Sequence, residues 1–145
     1  MATLTLRPNA AGDDTNWTPN TGENYAAVDE AVSDSDTTYV SRAGTEVDDL
    51  YNIETSDTLT GKTINSVTVY ASARYAESGT GSISTSPTLK LGLKTNATEY
   101  WDTGDTITAS YATYSQAWAV NPNDSAAWEK ADIDALQVGV RSAQT

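Results

Sequence analysis

Ile64-Asn65-Ser66-Val67-Thr68-Val69-Tyr70-Ala71-Ser72-Ala73-Arg74-Tyr75 is the stretch that decides how this chain folds. Val67, Val69, Ala71, Ala73 and Tyr75 fall on one face, and Ser66, Thr68, Tyr70, Ser72 and Arg74 on the other. A period of two matches the pleat of a strand with one buried and one wetter face.

Working outward toward the C-terminus, residues 77–87 are a Gly/Ser/Thr loop, flexible by composition. Residues 88–95 then place Leu89, Leu91 and Leu93 inward, with Lys90 and Lys94 outward. Residues 106–120 form a long β-rich stretch with Tyr111, Tyr114 and Trp118, broken by Asn121-Pro122-Asn123-Asp124. Residues 125–135 are the one helix candidate, with Ser125 as its cap and Trp128, Ala131 and Ala135 at helical spacing. A last strand puts Leu136, Val138 and Val140 inward and Gln137, Gly139 and Arg141 outward.

Toward the N-terminus, residues 47–53 and 37–41 read as short strands, with a turn at Ser33-Asp34-Ser35-Asp36. Residues 25–29 are a further strand candidate. Residues 9–22, rich in Asn, Asp, Gly, Thr and Pro, read as a long loop. Residues 3–7 alternate, with Leu4 and Leu6 on one face and Thr3, Thr5 and Arg7 on the other, and Pro8 ends that strand. The sum is an all-β chain of about eight strands and at most one short helix. It predicts an antiparallel β-sandwich, jelly-roll-like, in a single domain over residues 1–145, with residues 1–21 as an extended N-terminal arm.

The 145 residues include 20 acidic and 8 basic side chains, a net charge of -12, and no His or Cys. A chain of this length buries roughly 68–70% of its unfolded surface and needs neither disulfides nor metal to fold. Without His and Cys there is no Ser-His-Asp or Cys-His catalysis and no imidazole or thiolate zinc site. The charge argues against nucleic acid as partner, because phosphate neutralisation needs clustered Lys and Arg. No apolar run approaches the ~20 residues of a membrane-spanning helix, and residues 1–7 lack the charged and apolar regions of a signal peptide. The 8 Tyr, 4 Trp and many β-branched residues separate the chain from disordered sequences.

Several segments, in order, carry a likeness. They are Leu4-Thr5-Leu6-Arg7-Pro8-Asn9-Ala10-Ala11-Gly12-Asp13, Asn24-Tyr25-Ala26-Ala27-Val28-Asp29-Glu30 and Asp36-Thr37-Thr38-Tyr39-Val40. They continue with Asp49-Leu50-Tyr51-Asn52-Ile53, Ile64 to Tyr70, Tyr111 to Tyr114, Trp118, Asn121-Pro122, Trp128 and Asp132 to Val140. Over nearly the whole chain this resembles a poorly characterised β-sandwich module of phage and environmental viral proteins, including proteins of virion surfaces. The resemblance implies a virion-surface decoration (cement) protein, non-enzymatic, commonly trimeric, whose partner is the major capsid protein or another virion protein. It supplies no catalytic signature.

Candidate sites follow from residue chemistry. Loop carboxylates at Asp13, Asp14, Asp34, Asp36, Asp48 and Asp49 can offer oxygens to a structural calcium, which takes six to eight of them. No stretch has the D-x-[DN]-x-[DN]-G loop, and Asp34-x-Asp36 is a fragment of it; turn formation and solubility explain the same residues. Among these, Asp34, Asp36, Asp48 and Asp49 are the metal candidates. Trp17, Trp101, Trp118 and Trp128 can stack on sugar rings or fill core and interface. Trp118 shares a face with Tyr114 and Val120, which favours core, whereas Trp101, between Tyr100 and the turn Asp102-Thr103-Gly104, is the exposed candidate. With 20 acids, chance carboxylate pairs are inevitable, and no P-loop or dinucleotide fingerprint is present.

Three functions are consistent with these features. One is a decoration protein, a homo-oligomer with Leu4, Leu6, Trp17, Tyr100 and Trp101 at its interfaces. Another is a carbohydrate-binding jelly-roll module of a phage fibre or surface protein. The third is a spacer domain with no ligand.

Overall fold

Strand β4 (Val47–Ile53) and strand β10 (Gln137–Gln144) lie side by side at the centre of the molecule, antiparallel, with Gly139 opposite Leu50. The computed structural model describes residues 2–44, 46–76 and 87–144. The loop expected over residues 77–87 lies outside the described residues except for Pro87. Around the central pair a six-stranded sheet is ordered β1-β4-β10-β6-β7, from β1 (Pro8–Thr15), β6 (Pro87–Thr95) and β7 (Thr98–Trp101), with β8 (Asp105–Thr106) on β6. A second layer holds β5 (Val67–Ala73) and β9 (Ala112–Trp118), and β2 (Thr18–Pro19) pairs with β3 (Val40–Ser41) apart from both. Every pairing is antiparallel, and the all-β, sandwich-like expectation holds.

The core lies between the layers. Leu89, Leu91 and Leu93 on β6 meet Val69 of β5 and the half-buried Val138 and Val140 of β10. Both the alternation in β5 and that in β6 are as the sequence reads. Trp128, Ile133 and Leu136 close one end, where Ile64 bridges to Trp128 and the Trp128 indole donates to the Trp118 carbonyl at 2.9 Å.

The opposite face of the large sheet is flattened by glycines. Gly139 and Gly92 face each other across β10 and β6. A Cβ on Gly139 would run into the Asp49 carbonyl and the Leu50 side chain, and one on Gly92 into the Trp101 ring. Leu50 is fully buried on this face.

Five local expectations are corrected. The strand expected over residues 3–7 is an unpaired segment, and Pro8, expected to stop it, opens β1. The free edge of β4 is taken by residues 8–15, with bulges between Pro8 and Ala10 and between Ala11 and Thr15 that absorb the turn-forming residues. Residues 25–29 hold a 3-10 turn at Tyr25–Ala27, closed by i→i+3 bonds, not a strand. Residues 37–41 pair only at Val40–Ser41, and 106–120 divides into β8 and β9.

The helix shortens to α1 (Lys130–Asp134). Ser125 has φ of +61° and donates its N–H to the Asn121 carbonyl, so it belongs to a closed turn. Glu129 caps the helix instead, in a capping box with Asp132.

Candidate functional site

The two-stranded layer covers only part of the large sheet, and the uncovered part is a cleft of ≈ 2090 Å³. All seven residues of β5 line it, against Thr113 alone from β9, so the edge of β5 that has no partner among the described residues faces the opening. Its floor is β10 and the end of β4, with Val138, Val140, Tyr51 and Ile53. Its lining also holds residues 2–7, which lie outside any strand, and the charged side chains Glu30, Asp34, Asp36, Arg42, Lys62 and Arg74. Ligand pockets for small molecules run to ≈ 300–1,000 Å³. This cleft is larger, shallow in places, and bordered by open strand backbone.

Leu4, Leu6 and Trp17 line the cleft. Leu4 is exposed, while Leu6 packs against the Leu93–Trp128 cluster and Trp17 against the Val69–Leu91 cluster. Tyr100 packs on the same cluster as Leu6 from the far edge of the sheet. Trp101 stands on the opposite face, with its ring over Gly92 and the Arg141 guanidinium 4.4 Å from the ring centroid. Its indole N–H donates to Glu99 at 3.1 Å. The five residues therefore divide between the two sides of the large sheet.

Asp48 and Asp49 are neighbours on β4 and point to opposite faces. Asp49 faces the interior and is fully buried. It accepts from the Tyr51 hydroxyl at 2.5 Å, from Asn24 Nδ2 at 2.8 Å to each oxygen, and from the Trp17 backbone N–H at 3.2 Å. Burial raises its pKa above the ordinary aspartate value, and the hydrogen bonds from Tyr51, Asn24 and Trp17 offset only part of that. Burial, reinforced by the Asp49 charge, pushes the Tyr51 hydroxyl far above its ordinary value, so Tyr51 keeps its proton and donates it. Through this network Asp49 pins the segment around Trp17 and Asn24 to the floor of the cleft, and the Trp17 indole adds a 2.9 Å bond to the Val47 carbonyl.

Asp48 is on the outer face. Its carboxylate takes two bonds from Arg141, from Nε and from Nη2, the latter at 2.7 Å. Arg141 Nη2 also reaches Glu99 at 3.2 Å. Asp14, Asp48 and Glu99 bring carboxylate oxygens within 4.8 Å of one another. Among the four metal candidates only Asp48 joins this group, and the guanidinium already supplies positive charge there.

Asp34 and Asp36 lie on the cleft rim in separate bonds. The Thr38 hydroxyl lies 2.7 Å from Asp34 and 2.5 Å from Glu30. Asp36 pairs with Arg74 at 2.9 Å and takes the Tyr111 hydroxyl at 2.9 Å. The Arg74 hydrogen bond, then that of Tyr111, holds the Asp36 carboxyl below its usual range.

Sequence reasoning did not find the cleft, since nothing in residues 64–75 says that β5 has, among the described residues, a neighbour on one edge only. Glu99 was also missed: the partners that gather it beside Asp48 come from strands far apart in sequence. No described helix is long and apolar enough to cross a membrane. Comparison with protein-family models, with curated proteins and with solved structures finds no match to this chain.

Proposed function

We propose that this chain is a structural subunit of a virion surface, a decoration protein that acts through oligomeric protein contacts and not through catalysis. The observation that carries the reading is the apolar-floored cleft beside a strand edge that has no partner among the described residues. Exposed strand edges are templates for another chain, and folded proteins blunt or cover them. The virion assignment, with a capsid protein as partner, rests on the resemblance of the segments from Leu4 to Val140. A closed ring of three copies satisfies such an interface without runaway assembly.

The test is the solution mass by light scattering during gel filtration, in EDTA and in calcium. The expected result is three times the chain mass of 15.4 kDa in both. A single-chain mass in both conditions overturns the reading. Assembly only in calcium replaces direct protein contacts with metal-bridged ones.

A further inference from the structure

We infer that the edge of β5 left without a partner among the described residues receives residues 2–6 of a second copy of this chain, which add a strand to the β5–β9 layer and fill the cleft. The inference rests on the oligomeric reading above and names its contact.

Four observations point to this occupant. Residues 3–7 alternate as a strand should, Leu4 and Leu6 against Thr3, Thr5 and Arg7. They have no ladder in their own chain: among the described residues no backbone hydrogen bond holds residues 2–6, and Leu4 is 44% exposed. Second, the chain's own segment cannot easily supply the pairing. Arg7 is tied at the end of β4, where its carbonyl accepts from Glu54 N–H at 2.9 Å and its N–H donates to the Glu54 carboxylate at 3.0 Å. In that position residues 2–6 border the cleft without forming a strand against β5.

Third, the shapes agree. Five extended residues reach about 17 Å, most of the length of a seven-residue strand. The inward face of β5 tapers from Val67 and Val69 to Ala71 and Ala73, leaving room for leucines beside the small residues. Fourth, the charges agree. Residues 2–12 carry one charged side chain, Arg7, on a chain of net charge -12, and the cleft lining is mixed, with Glu30, Asp34 and Asp36 beside Arg42, Lys62 and Arg74. A segment without acids is the part of this molecule that a second acidic body repels least.

Addition of a strand to an open edge gives affinity through main-chain bonds and specificity through alternate side chains. Exchange of the same segment around a symmetry axis closes the assembly.

The experiment uses the full chain and two readouts. The first is solution mass for the wild type, Thr5→Pro and Leu4→Asp. Proline removes an N–H that a new strand needs, and Thr5 is exposed and unpaired within its own chain, so the fold is untouched. The expected result is a multiple of the chain mass for the wild type and a single-chain mass for both variants, with unchanged circular dichroism.

The second readout exploits the absence of cysteine. Thr5→Cys protein is mixed, under oxidation, with Thr68→Cys, Tyr70→Cys or Ser72→Cys protein, whose side chains share the outward face of β5. A mixed covalent dimer in at least one pairing supports the exchange. If the wild type is oligomeric but the Thr5→Pro mass is unchanged and no mixed dimer forms, the exchange is overturned and the oligomeric reading survives. A wild type of single-chain mass overturns both. In a chain that carries both Thr5→Cys and Tyr70→Cys, a disulfide that closes only within one chain overturns the exchange in favour of the chain's own segment.

Discussion

Strand β10 is paired on both edges, by β4 and by β6, whereas among the described residues β5 is paired by β9 alone. The two strands both turn valines toward the core, Val67 and Val69 on β5 and Val138 and Val140 on β10. What differs is the surroundings. β10 has the leucine row of β6 beside it, Leu136 at its start and ion pairs from Arg141 to Asp48 and Glu99 on the reverse face. β5 has one buried residue, Val69, among seven. The contrast teaches that strands of like sequence differ in burial according to the neighbours that the fold gives them. The central strands β4, β10 and β6 of the large sheet are paired on both edges, whereas β5 has one partner, β9, among the described residues. Regions with fewer buried contacts also open more readily in the native state.

The largest expected effect tests the stable side of this contrast. Leu91 is fully buried in the leucine row, and Leu91→Ala is expected to cost about 2–5 kcal/mol through lost transfer energy and a cavity. Val69→Ala, on the facing strand of the small layer, removes two methyl-sized groups beside the cleft and is expected to cost about 1–2 kcal/mol. Urea denaturation of the purified chain, with the slope unchanged, measures both. Equal losses would show that the two layers are one cooperative body and break the comparison.

An intermediate effect lies at the junction of cleft and sheet. The pKa of Asp49 is raised mainly by burial. A carboxyl whose folded-state pKa exceeds its unfolded value contributes stability that is fully present below the unfolded pKa, about 3.9, and lost as pH rises through the folded value. Asp49→Asn removes that dependence and keeps the side-chain volume. The melting temperature of the variant minus that of the wild type is therefore expected to become more positive from about pH 4 to about pH 7. A difference that becomes more negative would mean that the bonds from Tyr51, Asn24 and Trp17 outweigh burial of the charge.

The large sheet and the small one were also unequally legible. In β5, β6 and β10 the period-two pattern located the strands, because burial on the core side selects apolar residues at alternate positions, while β4 was read as a short strand without its alternation. β1 was hidden because Asn9, Gly12, Asp13 and Asp14 are turn formers, and the β4 edge overrides that propensity. Residues 3–7 show the reverse: the pattern is that of a strand, and among the described residues the partner edge within the chain is missing. Ser125 is a good helix cap by type, but the turn closed on Asn121 holds it in a left-handed conformation. Asp49 was grouped with Asp48 as a surface ligand, since two consecutive acids look solvated. Only the alternation of β4 places one inside, and only Asn24 and Tyr51 make that position tolerable. The cleft depends on which strand edges stay unpaired, a property of tertiary assembly that no local pattern records.

The smallest effect sharpens the comparison from the side of the small sheet. Arg74 follows β5, and its guanidinium bonds Asp36 while lying 5.4 Å from the centroid of Tyr111, just before β9. The Tyr111 hydroxyl also lies 3.0 Å from the Ser35 carbonyl. This contact joins the end of the small sheet to the rim of the cleft, and it is an exposed pair of the kind that salt screens. Arg74→Ala is expected to leave the melting temperature nearly unchanged, because the leucine row and the β4–β10–β6 ladder are remote from it. It is expected to speed amide hydrogen exchange at Ser72, Ala73, Ala112 and Thr113, where β5 and β9 pair, and to leave Leu91 and Val138 as protected as before. The wild type at high salt should move in the same direction, since screening weakens the same contact. Faster exchange that spreads into β10 would mean that the small sheet supports the large one, and the contrast between β10 and β5 would fail.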